Sequence, residues 1–140
     1  MISKLLEFEI QSQGFTDIID VTGKVRRTLQ QEGLKEGTVT IFTPGATASV
    51  TTIEYESGAV SDLKSAIERM APENINYKHD ARWGDGNGFS HVRAAIIGPS
   101  LCVPVENGNL VLGTWQQIVV IDHDNRPRNR RVVIHLLGTG

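Results

Sequence analysis

At 140 residues the chain has the size of one domain, long enough to bury about two thirds of the surface its unfolded form exposes. Fourteen basic residues against sixteen acidic ones leave a net charge of −2, which argues against a general attraction to nucleic acid or anionic lipid, and no apolar stretch reaches membrane-spanning length. The lone Cys102 excludes an intrachain disulfide and, within the apolar run 96–105, reads as a small hydrophobe; with no signal-peptide pattern after Met1, a cytoplasmic protein is expected.

Leu6, Phe8 and Ile10 alternate with Glu7, Glu9 and Gln11, the period of a strand with one buried face. A short extended stretch over 15–21 follows. Thr22 then reads as the N-cap of a first helix through Val25 and Leu29, stopped by Gly33. The β-branched runs 38–43 and 48–54, interrupted by Pro44-Gly45, are expected to form neighbouring strands. Ser57 or Ser61 caps a second helix whose stripe is Val60, Leu63, Ile67 and Met70, ending before Pro72.

From Glu73 to Ser90 no periodicity is found, and three glycines, a Trp and two Asp point to a long functional loop. After it strands are expected at 91–97, 101–105, 110–112, 115–121 and 131–137, with Asn107-Gly108 and Asp124-Asn125 as hairpin turns. Two main helices among about eight strands, without helices between the late ones, predict a single α+β domain built on an antiparallel β-sandwich.

The chemistry concentrates in the second half. His79 and His91 flank a Gly-rich segment, where two imidazoles serve either as an acid/base pair or as part of a metal shell; two separately bonded histidines carry equal weight on spacing alone. Glu54, closing an apolar strand, and Asp62, in the first turn of the second helix, are the carboxylates expected to join them, although a helix N-terminal charge also explains Asp62. Asp80 and Asp85 read equally well as solvated. Asn87, between two glycines, is either a turn residue or an amide aimed at a ligand, and of Gln116 and Gln117 one must face inward. Arg126, Arg128, Arg130 and Arg131 follow Asp122 and Asp124 without interleaved aromatics, so a charged turn is favoured over RNA binding. One or two of these arginines, or Arg82 and Arg93, could grip the phosphate of a small molecule.

Taken in order, Phe42-Thr43-Pro44 with Thr47-Ala48 and Glu54, Asp62-Leu63 with Ala71-Pro72, Tyr77-x-His79, Asn87-x-x-x-His91, Gly113-Thr114-Trp115-Gln116 and Asp124-x-x-Pro127-Arg128-x-Arg130 resemble the YjbQ-like family of secondary thiamine-phosphate synthases. Where that family usually carries His-Thr-Thr-Ala after the proline, this chain has Gly45-Ala46-Thr47-Ala48. The resemblance implies an α+β sandwich assembled as a homotrimer. It also implies a transferase joining an aminopyrimidine diphosphate to a thiazole phosphate at a site of Glu54, His79, Asn87, His91 and Gln116. Arg128, Arg130 and Thr47 would hold phosphate, and a divalent metal (Mg²⁺ or Zn²⁺) would lie on His79, His91 and Asp62. The alternatives are a non-catalytic ligand-binding or metal-holding trimer and a metal-dependent hydrolase of a phosphorylated metabolite.

Overall fold

The alternation read at the N-terminus builds one edge of a five-stranded antiparallel sheet. In the computed structural model, which describes residues 1–140, β1 (Ile2–Ser12) runs beside β8 (Arg128–Thr139) for its full length, from Ile2 opposite Gly138 to Ser12 opposite Arg128. β8 pairs in turn with β3 (Glu36–Phe42), β3 with β5 (Ser100–Glu106), and β5 turns at Asn107-Gly108 into β6 (Asn109–Leu110). A three-stranded sheet lies against it, with β7 (Gln116–Asp122) between β2 (Asp17–Asp20) and β4 (Ala48–Glu54).

The central strand explains how two cores form. Along β7 successive side chains point to opposite faces. Ile118 and Val120 therefore join Val39, Ile41, Val132 and Ile134 of the larger sheet and Val25 and Leu29 of α1 (Thr22–Glu32), all buried. Val119 and Ile121 face the other way, onto Ile18 and Ile67, with Val60 and Leu63 packed alongside on α2 (Ser57–Met70). A strand covered on both faces needs no polar alternation, which is why 118–121 is one apolar run. Burying each such side chain is worth about 1.5–3 kcal/mol. Val60, Leu63 and Ile67 of the stripe expected for the second helix pack here, whereas Met70 is exposed.

The caps differ from the sequence reading. Val21, not Thr22, precedes α1, and the Asp20 carboxylate accepts from both the amide and the hydroxyl of Thr22. Glu56, rather than Ser57 or Ser61, caps α2 by accepting from the Gly58 and Ala59 amides; those bonds lower its pKa. Gly33 ends α1 at φ 71°, as its sequence position predicts.

Five expectations are corrected. Segment 91–97 is not a strand: α4 (Gly88–Ile97) spans it, its buried Phe89, Arg93 and Ala94 four and five residues apart, and α3 (Lys78–Trp83) occupies part of the expected loop. The runs 38–43 and 48–54 are not neighbours, because Pro44-Gly45 carries the chain from one sheet to the other. Asp124-Asn125 is a crossover between the sheets rather than a hairpin, since β7 and β8 do not pair. Cys102 is exposed on the outer face of β5, and Trp115 is 71 % exposed just before β7. No helix is long and apolar enough to cross a membrane.

Candidate functional site

Three chain crossings meet at one end of the smaller sheet: the corner leading into β4, the corner between α3 and α4, and the 122–128 crossover. Each delivers polar side chains to a cleft of about 610 Å³, within the usual size of small-ligand sites. The first supplies Ala46 and Thr47. The second supplies His79, Trp83, Asp85, Asn87 and His91, and the third Arg128 and Arg130.

His79 and His91 converge, as expected of a shared site: their ring centroids are 4.3 Å apart, with planes tilted by 38°. A close corner makes this possible. Gly88 opens α4 so near Tyr77 that a Cβ there would lie 2.6 Å from the tyrosine Cβ. The Gly88 amide donates to Asp80 Oδ1 at 2.8 Å, and the same oxygen lies 3.2 Å from His79 Nδ1. Asp85 Oδ1 is 3.5 Å from that nitrogen. A carboxylate fixed by a backbone amide and bonded to Nδ1 orients the imidazole, leaving Nε2 for a ligand. Neither nitrogen of His91 has a hydrogen-bond partner within the chain.

Opposite the imidazoles, the arginines are held in fixed poses. Arg130 binds Asp122 through Nε (2.8 Å) and Nη2 (2.9 Å), and its Nη2 also reaches Thr47 Oγ1 at 2.6 Å. Arg128 grips Asp124 Oδ2 through Nε (3.0 Å) and Nη2 (2.7 Å). Both carboxylates are fully buried, so charge pairing is required rather than ornamental. Burial opposes ionisation of Asp124, but donors from Asn87 Nδ2, the Asn125 amide and Arg128 outweigh it and lower its pKa to about 2. Nη1 of each arginine keeps no partner within the chain. Asn87, only 7 % exposed, also leaves its Oδ1 unsatisfied, an acceptor open to a donor or a cation.

Between Asp122 and Asp124 the chain buries His123 completely. Its Nε2 lies 2.8 Å from Ser49 Oγ, and its Nδ1 has no partner. Burial, reinforced by the charge of Arg93, pushes this imidazole down to about 4, so it is neutral at physiological pH.

Several sequence candidates lie elsewhere within the chain. Glu54 pairs with Gln116 at the far end of β4 and β7, six residues from the Ala48–Asp122 pair, or roughly 20 Å along the strands. Gln116 binds Thr52 Oγ1 and the Gly113 amide, and Glu54 lines a separate cleft with Asp20 and Trp115. Asp62 is exposed on α2, so the carboxylates beside the imidazoles are Asp80 and Asp85 instead. Arg93 is buried against Ala71 O, Thr16 and Glu68 and has no access to a ligand. Asn87, His79, His91, Thr47, Arg128 and Arg130 do meet.

Asp122 and Asp124 were read only as charges preceding the arginines, and His123 and Ser49 were missed. One signal was present: the Asp122–Arg130 and Asp124–Arg128 pairs are both centred on Arg126, and residues two apart share a face when the chain is extended. Nothing local marks His123 as buried.

The profile of a family described as UPF0047 protein YjbQ-like matches residues 6–139. A UPF0047 protein of Archaeoglobus fulgidus is 36% identical over 132 residues, covering 94% of this chain and all of the relative. The UPF0047 protein YugU of Bacillus subtilis is 34% identical over 135 residues, covering 96% and 99%. Among solved structures, a YbjQ-like protein of unknown function from Sulfolobus solfataricus superposes with a TM-score of 0.88 at 27% identity, over 98% of this chain and 99% of its own. A hypothetical protein from Aeropyrum pernix matches equally well, with a TM-score of 0.88 at 31% identity over 96% and 99%. A sequence match running through nearly every strand and helix, on a shared fold, places this chain in the YjbQ-like UPF0047 family.

Proposed function

We propose that the cleft holds a divalent cation on His79, His91 and Asp85 and, beside it, the phosphoryl group of a small metabolite contacted by Arg128, Arg130 and Thr47. The observation carrying this reading is the charge balance: Asp85 in the cleft wall, Asp80 on His79, and the buried Asp122 and Asp124 on the arginines set four carboxyl groups against two guanidinium groups. Asp122 and Asp124 already neutralise the arginines, so the carboxyl groups of Asp80 and Asp85 oppose a bare anion, and a cation relieves that opposition. The donor set fits: imidazole and carboxylate suit Zn²⁺ and Mn²⁺, and carboxylate with phosphate oxygens suits Mg²⁺.

The reaction we assign to this site is the one the family resemblance implies, transfer of the thiamine-phosphate-synthase type. The thiazole nitrogen forms a C–N bond to the aminopyrimidine methylene as the C–O bond to diphosphate breaks, and no proton need move in that step. A bound cation supplies charge stabilisation for the departing diphosphate. Nη1 of Arg128 and of Arg130, pre-aimed by buried carboxylates, donates to phosphate oxygens without reorganisation. Asp80 holds His79 in place, and the close packing at Gly88 fixes α3 against α4, so that positioning carries the catalysis. The acting unit in this proposal is a homotrimer, supported by the exposed Leu5, Leu137 and Phe42 on the five-stranded sheet.

The test is formation of thiamine phosphate from the two purified precursors with Mg²⁺. Product is expected with wild type and lost with chelator and in His91→Ala. Absence of product together with release of phosphate from either precursor would replace transfer by hydrolysis; silence on both would reject catalysis at this cleft.

A further inference from the structure

β1 is an edge strand: over 11 residues, about twice the usual strand length, it pairs with β8 on one side and with nothing on the other. The carbonyl of Glu9 accepts from Lys24 Nζ at 3.3 Å and so points to the open side. In an antiparallel strand every second residue turns both backbone groups the same way, which puts the amides and carbonyls of Leu5 and Glu7 on that side too. Such a row is a ready template for a further strand.

α1 stands beside this edge and is tied to β1 near both of its ends. Lys4 Nζ lies 2.8 Å from Glu32 Oε2 at the C-terminal end of the helix; Lys24, toward the N-terminal end, reaches Glu9 and sits 5.1 Å from the centre of the Phe8 ring. Between the two ties runs a groove with Phe8 on one wall and Lys24, Arg27, Thr28 and Gln31 on the other. The four helix residues share one face at three- and four-residue spacing. Neither Lys24 nor Arg27 pairs with a carboxylate. The first turn of α1 carries no acidic residue, so the end of the helix that favours negative charge has none of its own.

We infer that this groove takes an extended acidic segment of another protein, which joins the larger sheet as a strand beside β1. Leu5 and Glu7 supply the backbone pairing, and the neighbouring helix reads the side chains. A strand sends alternate side chains to opposite faces, so carboxylates two residues apart meet Lys24 and Arg27 while their methylene stems lie along Phe8. The residues between them emerge on the outer face beside Glu7 and Glu9, where a carboxylate would be repelled. The recognised pattern is therefore acidic, non-acidic, acidic. In the free protein Lys24 guards the edge through its bond to Glu9, and on docking it turns to the incoming carboxylate.

The experiment is fluorescence anisotropy of labelled hexapeptides at low salt: alternating Glu and Thr, alternating Lys and Thr, and the Glu-Thr peptide N-methylated on its backbone at every second residue in each of the two possible frames. The Glu-Thr peptide should bind, the Lys-Thr peptide should not, and N-methylation should abolish binding in one frame only, the one whose amides face β1. Arg27→Ala, at an exposed position where alanine favours the helix, should weaken binding about tenfold. Equal binding of both N-methylated frames would overturn strand addition. Indifference to Arg27→Ala or to the exchange of Glu for Lys would overturn the acidic partner, and failure of every peptide to bind would overturn both. Light scattering of the complex should show the protein's own assembly unchanged; a peptide that dissociates it would overturn the proposal by assigning the edge to a second copy of the chain.

Discussion

His123 gives the sharpest stability prediction. The folded imidazole titrates near 4, against an ordinary 6.5, because burial and the charges of Arg93 and Arg130 outweigh the opposing pull of Asp122. Between those two values the unfolded chain binds a proton that the folded chain refuses. Stability should therefore be complete above pH 6.5, fall as pH drops toward 4 and level off below that, as far as this group is concerned. The difference of about 2.5 in pKa corresponds to about 3 kcal/mol. For a domain whose total stability is about 5–15 kcal/mol, that is roughly a fifth to three fifths of the whole. Urea denaturation followed by circular dichroism, at half-unit steps from pH 7.5 to 4.5, measures it. In His123→Gln the overall stability should be lower but the slope across this window should flatten. A wild type whose stability is constant from pH 6.5 to 4.5, or a variant with an unchanged slope, would refute a buried neutral histidine.

Asp124 acts lower on the scale: with a folded pKa of about 2 against 3.8, its contribution of roughly 2 kcal/mol is present above pH 4 and is lost as pH falls through 2, visible as a steeper acid limb that Asp124→Asn removes. Gly88→Ala should cost about 1–3 kcal/mol by overpacking Tyr77 and should separate the two imidazoles, read as loss of their mutual chemical-shift dependence in NMR; an unchanged stability would show that the corner yields freely. Gly45→His, which restores the residue usual in the family, should destabilise by about 1–3 kcal/mol because φ is +116°; a neutral result would mean that the Pro44-Gly45 peptide reorients at no cost. Light scattering at micromolar concentration should report a trimer, and a monomer would confine the site to residues of a single chain.

What the sequence disclosed follows from which forces are local. The alternation in β1, the Val60, Leu63 and Ile67 stripe of α2 and Gly33 as a helix stop each depend on neighbours in the chain, and all are found; Met70, expected to extend the stripe, is exposed. Segment 91–97 misled because Val92, Ile96 and Ile97 favour strands locally, while burial of Phe89 and Arg93, one helical turn apart, a tertiary demand, decides it. The sheet assignment of β3 and β4 is also non-local, since Pro44-Gly45 reads as a turn whether the chain doubles back or changes sheet. In the cleft, the residues whose types are unusual in their context were legible: His79, His91, Asn87, Arg128 and Arg130. Glu54, Gln116 and Asp62 were drawn in by residue type; Glu54 and Gln116 lie at the far end of β4 and β7, and Asp62 is exposed on α2, placements that follow from strand direction and helix docking, which local sequence does not carry. β7 is the central strand of its sheet, so the apolar run 118–121 needs no partner subunit to cover an edge.

The account turns on a cation joining the imidazoles to phosphate across one cleft. Titration of Mn²⁺ followed by electron paramagnetic resonance, with and without inorganic phosphate, tests this directly. One Mn²⁺ should bind per chain, about tenfold more weakly or worse in His79→Ala and His91→Ala, and phosphate should tighten it in wild type but not in Arg128→Met. Mn²⁺ binding that is absent, or indifferent to both histidines and to phosphate, would contradict the account.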